Sequence, residues 1–354
     1  MKSKRITLAG LPLMSLFLPL VASAHEVYVL RGNQIAVDTT EPPFNMLAVV
    51  FGNSHQFIFW AFVAALTVSL VFLVSMIRPL ERVLDPLFAR MKPYAPAVAR
   101  ITVGLGFIAA SYYQATFGPE LPLAANYGPY AHLVTLVLAV MGTLIVIGFW
   151  GRAAAVVALT LYGVSVYRHG AYMLTYVNYL GEIIVLLLLG SHRFSVHSFT
   201  GWNERFHHSF HFVTEKIDHL AFPILRVCFG ISLLYASIYA KVLHNNLALQ
   251  VASLPLAGHA YPLAHYFGME PHFLVLGAAI VEIVIGLFFV FGIEIRFTSL
   301  FLLFWLSLSL WYFGEVVWPH IVLIGIPIAF IMHGYDKYSL EGFFFKKGRL
   351  EPVL

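Results

Sequence analysis

Three ionisable residues stand inside long apolar stretches of this chain: Glu182, Lys241 and Glu282. A charge at the centre of a bilayer costs about 2.5 kcal/mol or more, so such residues line a pathway, pair with each other or stay neutral. Lys241 lies 15 residues beyond Arg226, about 22 Å along a helix. Glu282 lies ten residues into its own apolar run, about 15 Å from the opposite end. Across a hydrocarbon slab of ~30 Å, their depths differ by roughly 7 Å, which a lysine side chain nearly spans. One reading is a pair that handles protons or holds a quinone head group. The other has Lys241 snorkelling to the outer interface while Glu282 is protonated or bonded to a neighbouring helix. Thr175, Asn178 and Glu182 recur at i, i+3 and i+7 and share one helical face. That stripe either lines a polar cavity or bonds the adjacent helix.

Histidine is the other candidate for chemistry, with sixteen copies. Nine fall on the side expected to face outward: His25, His55, His132, His169, His244, His259, His265, His272 and His320. Imidazole suits copper or zinc. A mature N-terminal His25 offers both amine and ring, so His25, His55 and His132 form a candidate copper site; the other reading is that these histidines decorate the interface. A haem needs two facing histidines, usually within the span, whereas five of these sit at helix ends. The inner loop holds His192, His197, His207, His208, His211 and His219, a weaker zinc candidate. The single cysteine, Cys228, excludes a disulfide, a CxxC pair or a cysteine-held iron–sulfur cluster within the chain. No phosphate-binding glycine loop or nucleophile elbow occurs.

The elements that position these residues are membrane helices. The chain of 354 residues is 60% hydrophobic and 11% charged, against about 25% charged in soluble domains. Residues 1–24 read as a signal peptide: a basic start (Lys2, Lys4, Arg5), an apolar stretch and an Ala22-Ser23-Ala24 cleavage site. Segment 25–54 is then exported. Nine helices are expected, over 55–77, 97–117, 131–150, 152–168, 171–190, 222–242, 272–293, 296–314 and 317–333. Basic residues gather in 78–96, 191–221 and 334–354, which places those loops and the C-terminus in the cytoplasm and the mature N-terminus outside. The net charge of +4 is therefore topological, the bilayer is the partner, and nucleic acid is not implied. Within 201–221, apolar residues at near-helical spacing suggest an amphipathic cytoplasmic linker.

The chain also repeats itself. A shift of 144 residues, without a gap, superposes Gly142 on Gly286, Gly148 on Gly292, Arg152 on Arg296, Gly181 on Gly325, Gly190 on Gly334 and Ser195 on Ser339. The preceding helix aligns at 126, matching Arg100 to Arg226 and Gly104 to Gly230; the longer outer loop 244–271 absorbs the difference. The expectation is an all-α membrane protein: one N-terminal helix, then two four-helix units (97–200 and 222–345) in parallel orientation.

The second unit runs Arg226-x3-Gly230, Lys241, Glu282-x3-Gly286-x5-Gly292-x3-Arg296 and closes on Gly334-Tyr335-Asp336-Lys337-Tyr338-Ser339-Leu340-Glu341. This pattern resembles the DoxX family, so that the chain reads as two fused DoxX-like units. It departs in having Ile238 where the family commonly has glycine, and Glu341 where it commonly has aspartate. The first unit lacks the polar pair: Ala115 and Leu138 stand for Lys241 and Glu282. The resemblance implies a membrane subunit or partner of a quinone-linked redox system at the outer face of a bacterial inner membrane, with a redox partner protein or a second copy beside it. Lys241, Glu282 and Glu182 would then handle protons or quinone, and Asn178 and Arg296 would contact the cofactor. A transporter or copper- or zinc-handling protein using the outer histidines is the alternative, and a non-catalytic membrane scaffold a third.

Overall fold

The computed structural model describes residues 43–51, 56–190, 195–196, 217–255, 259–313, 318–340 and 342–343. The expected signal 1–24, His25, His55 and linker residues 201–216 lie outside them. Among the described residues the fold is all-helical, with one isolated bridge between Ala115 and Pro122. Its helices are α1 (Met46–Phe51), α2 (Gln56–Met91), α3 (Ala95–Tyr112), α4 (Leu123–Tyr127), α5 (Ala131–Ile147), α6 (Gly151–His169), α7 (Val177–Leu189), α8 (Ala221–Ser237), α9 (Asn246–Ser253), α10 (Leu263–Phe267), α11 (Pro271–Phe291), α12 (Ile295–Phe313) and α13 (Pro319–His333). Among the described residues, six helical stretches are long and apolar enough to cross a membrane: Pro86–Tyr112, Leu123–Ile147, Gly151–Leu189, Asp218–Leu243, Pro271–Phe291 and Ile295–Phe313. Trp60–Phe72 and Pro319–His333 are shorter apolar helices. The protein is a multi-pass membrane protein.

Four boundaries differ from the sequence expectation by five residues or more. The helix expected over 97–117 ends at Tyr112. The helix expected over 55–77 continues to Met91. Hydropathy marks where lipid ends, but helix formers such as Leu80, Glu81, Arg82 and Leu84 carry the helix past that point. The helix expected from 171 starts at Val177, because a 3-10 turn fills Gly170–Tyr176. The helix expected to reach 242 is regular only to Ser237 and then widens into a π-helical turn, Ile238–Leu243.

Glycines set the closest helix crossings. A Cβ added at Gly230 on α8 would lie 2.6 Å from the Gly286 carbonyl oxygen on α11, and one at Gly142 on α5 would lie 2.7 Å from the Gly104 oxygen on α3. Only glycine permits such backbone approach in a medium that supplies no hydrophobic drive between helices. Helix α3 also packs on α13, and α8 on α7. Phe107, Phe117 and Tyr179 form an aromatic core in one half, and Phe229, Phe289 and Phe330 in the other.

Arginines, of which Arg226 and Arg296 are buried, cap the helices at one end of the bundle. Arg152 Nε and Nη2 donate to the Leu187 and Leu188 carbonyls at 3.1 and 3.1 Å. Arg296 Nε donates to the Ile331 carbonyl at 3.0 Å, and its guanidinium lies 5.2 Å from the Phe88 ring centroid. Arg226 donates to the Phe289 and Val290 carbonyls and pairs with Asp336 at 3.1 Å. Each thus satisfies carbonyls that a helix C-terminus leaves without a partner.

Candidate functional site

At the other end, the π-helical turn carries Lys241. Such turns insert one residue into a helix and re-aim its side chains. The ammonium of Lys241 meets the carboxylate of Glu282 on α11, Nζ to Oε2 2.8 Å. Both side chains are largely buried, at 12% and 20% exposure. The indole Nε1 of Trp305 on α12 faces the other oxygen, Oε1, at 3.5 Å, a long contact. Lys241 therefore reaches across to Glu282, the first of the two arrangements expected from depth.

The pair lines a cavity of about 690 Å³. Its walls are mainly apolar and aromatic, from α7, α8, α11, α12 and α13; the outer-loop helices α9 and α10 add Ala248, Val251, Leu263 and Phe267. The outer loop is fastened by Asn245, which is fully buried. Its side chain accepts from the Phe44 amide at 2.9 Å and donates to the Phe44 carbonyl at 2.7 Å. The cavity has a second polar group. Glu120, in the loop between α3 and α4, accepts through Oε1 from the hydroxyls of Tyr172, at 3.0 Å, and Tyr176. Burial pushes the Glu120 carboxyl up to about 7, against the pull of the Tyr172 hydroxyl toward the ionised form.

Residues 221–315 match the DoxX family. No curated protein and no solved structure matches the chain. The DoxX match spans α8, the π-helical turn, α11 and α12, and so contains Lys241, Glu282 and Trp305. It relates this stretch of the chain to the DoxX family. Glu120, Tyr172, Asn178 and Glu182 lie outside the matched stretch.

The remaining expected site residues are dispersed. Asn178 lines the cavity with Ser232, whose hydroxyl donates to Asn178 Oδ1 at 3.1 Å and also to the Thr175 carbonyl. Glu182, on the same face, is fully buried and does not line the cavity. Among the described residues neither of its carboxyl oxygens has a hydrogen-bond partner; Thr102 on α3 is the polar side chain beside it. Arg296 is likewise absent from the cavity wall and caps α13 instead. His132 is exposed at the start of α5. Among the described residues no three histidine, cysteine or acidic side chains converge as a metal site would require. Two of the histidines expected to face outward are held by other contacts: His259 stacks on Tyr312 at 4.3 Å and bonds its carbonyl at 2.9 Å, and His169 bonds Asn126 at 3.0 Å.

Sequence reasoning passed over Glu120, Tyr172 and Tyr176. A signal existed: Glu120 is the sole charged residue in the outer loop 118–130. An acid in a loop ordinarily faces water, and nothing local shows that Tyr172 and Tyr176, more than 50 residues away, fold over it.

Proposed function

We propose that the protein binds the ring of a quinone or quinol in this cavity, as an integral membrane component of a quinone-linked redox system at the outer face of a bacterial inner membrane. The observation that carries this reading is the Lys241–Glu282 pair at 2.8 Å on the wall of a cavity of about 690 Å³ that is otherwise mostly apolar. Ligand sites of ~300–1,000 Å³ combine such walls with a few placed polar groups, and an isoprenoid-substituted ring asks for that combination. A bound quinone supplies two-electron, two-proton chemistry. The protein's own part is to hold and polarise: the Lys241 ammonium donates to a ring oxygen, and Glu282 keeps that ammonium in place and exchanges a proton through its carboxylate.

The frame for this site is nine spans, with a cleaved signal over 1–24, a mature N-terminus outside and the C-terminus in the cytoplasm. One N-terminal helix precedes two parallel four-helix units, 97–200 and 222–345. The matched arginine caps and glycine crossings of the two halves support that reading, as does the reciprocal packing of α3 on α13 and α8 on α7. A redox partner protein or a second copy completes the electron path.

The test uses protein purified in mild detergent and titrated with a short-chain benzoquinone, with tryptophan fluorescence as the readout, since Trp305 and Trp311 line the cavity. Wild type should quench saturably. Lys241→Met and Glu282→Gln should each weaken binding about tenfold, the equivalent of losing one charge-assisted hydrogen bond of ~1.5 kcal/mol. Quenching that is unsaturable, or equal in all three proteins, sinks the quinone reading. Purified protein that carries copper and no quinone would favour metal handling in its place.

A further inference from the structure

We propose that Glu120, held by Tyr172 and Tyr176, is a second ligand anchor in the cavity, donating a hydrogen bond from its carboxyl group to a ligand oxygen across from the Lys241–Glu282 pair. This rests on the quinone reading and extends it to the ligand's shape. Three observations carry the assignment. Glu120, Tyr172, Tyr176, Lys241 and Glu282 all line one cavity. Glu120 Oε1 is occupied by the two tyrosine hydroxyls, while Oε2 is shielded from solvent and has no partner among the described residues. Tyr172 packs on Tyr239 of the π-helical turn, with ring centroids 5.3 Å apart, so the turn that carries Lys241 also abuts the Glu120 cluster.

A shielded carboxyl oxygen without a partner is costly unless a ligand or water completes it. The neighbours decide its charge. Tyr172 and Tyr176 donate to it, Tyr179 interacts with it electrostatically, and Lys241, His244 and Glu282 face the same cavity. No cation forms an ion pair with it among the described residues. Burial therefore dominates, and the carboxyl titrates at about 7. With its proton, the Glu120 carboxyl is a hydrogen-bond donor on the cavity wall. The ligand that satisfies both anchors is neutral, planar or nearly so, and has oxygens at opposite ends: a 1,4-quinone ring. A ligand with a single polar head, such as a fatty acid, would leave one anchor unmet.

The experiment compares wild type, Glu120→Gln and Glu282→Gln in the same fluorescence titration, run as a pH series. Wild-type affinity should fall about tenfold as pH rises through 7, because the donor is lost. Glu120→Gln keeps a neutral donor, so its affinity should stay near the wild-type low-pH value with the pH step gone. Glu282→Gln should bind weakly throughout and keep the step. In parallel, infrared spectra of the ligand-free protein should show a protonated-carboxyl band that titrates near neutral pH and vanishes in Glu120→Gln. In Tyr172→Phe its midpoint should move up, since a donor to the carboxylate has gone. If wild type binds and Glu120→Gln retains the same pH step, or the band survives in Glu120→Gln, the Glu120 assignment is wrong and the cavity reading stands. If wild type fails to bind quinone at every pH, both fall.

Discussion

Arg152 caps α7 through the Leu187 carbonyl at 3.1 Å, and Arg296 caps α13 through the Ile331 carbonyl at 3.0 Å, each donor and acceptor displaced by the same 144 residues. The non-glycine residues with positive φ that open the following helices, Trp150 at +51° and Glu294 at +43°, stand at that offset too. So do Gly148 and Gly292, against which Arg100 and Arg226 lie. At the cavity end the halves part company. Lys241 and Glu282 are matched by Ala115 and Leu138, both buried, and Glu182 by the buried Ile326. The longer outer loop of the second half supplies α9 and α10 to the cavity wall. The arginine end is constrained because helix C-termini in a bilayer cannot leave carbonyls unpaired. The cavity end joins its helices through side-chain pairs such as Lys241–Glu282 instead of carbonyl caps, so its polar residues are freer to differ, and chemistry collects there.

The strongest way to break this comparison is at Arg226. Its guanidinium is buried and paired with Asp336, whose side chain is only 7% exposed. Removing one partner of a buried ion pair leaves the other charge stranded, typically at ~3–5 kcal/mol. Arg226→Met should therefore lower unfolding stability in detergent by about that amount. Arg226→Met combined with Asp336→Asn should recover part of it, because no charge is then stranded. A single variant as stable as wild type would show that this joint is ornamental.

The glycine crossings come next. Gly230→Ala and Gly142→Ala each push a methyl into a facing backbone oxygen, and overpacking of this kind costs roughly 1–3 kcal/mol. The two losses should be similar. Gly163, on α6, faces open space, with no atom within 4 Å of where a Cβ would stand, so Gly163→Ala should be neutral or stabilising by up to ~1 kcal/mol. If Gly142→Ala behaves like Gly163→Ala while Gly230→Ala does not, the equivalence of the two crossings fails.

Legibility in the sequence followed the range of the physics. The helices were readable because a bilayer demands long apolar runs, and the arginine and glycine joints because they recur at a fixed offset. Helix edges were not: α2 runs on to Met91 because helix propensity does not end where hydropathy does. The Lys241–Glu282 pair was approachable from depth alone, since 1.5 Å per residue fixes height along a helix. Arg296 lies at the capped end of the bundle, where it bonds the Ile331 carbonyl, and not on the cavity wall. Glu120 was out of reach because its partners come from a segment more than 50 residues on, and only the packed structure shows that they bury it.

The smallest expected effect tests whether the first half contributes to the cavity at all. Glu282 has a cation 2.8 Å away; Glu120 is held by tyrosine hydroxyls and its own backbone amide, and burial raises its carboxyl from an ordinary 4.5 to about 7. The native state then holds a proton that the unfolded chain has already released between those two pH values. Stability from this group is fully present below about 4.5 and is lost as pH rises through about 7. After allowance for partial exposure, that loss is on the order of 1 kcal/mol, or roughly 2–4 °C in melting temperature. Melting curves of wild type and Glu120→Gln from pH 4.5 to 8 should therefore diverge, wild type declining relative to the variant most steeply between about 4.5 and 7 and levelling above it. Parallel curves would mean that Glu120 is solvated like any loop acid, and the cavity would then owe its polar character to the DoxX-like half and to Asn178.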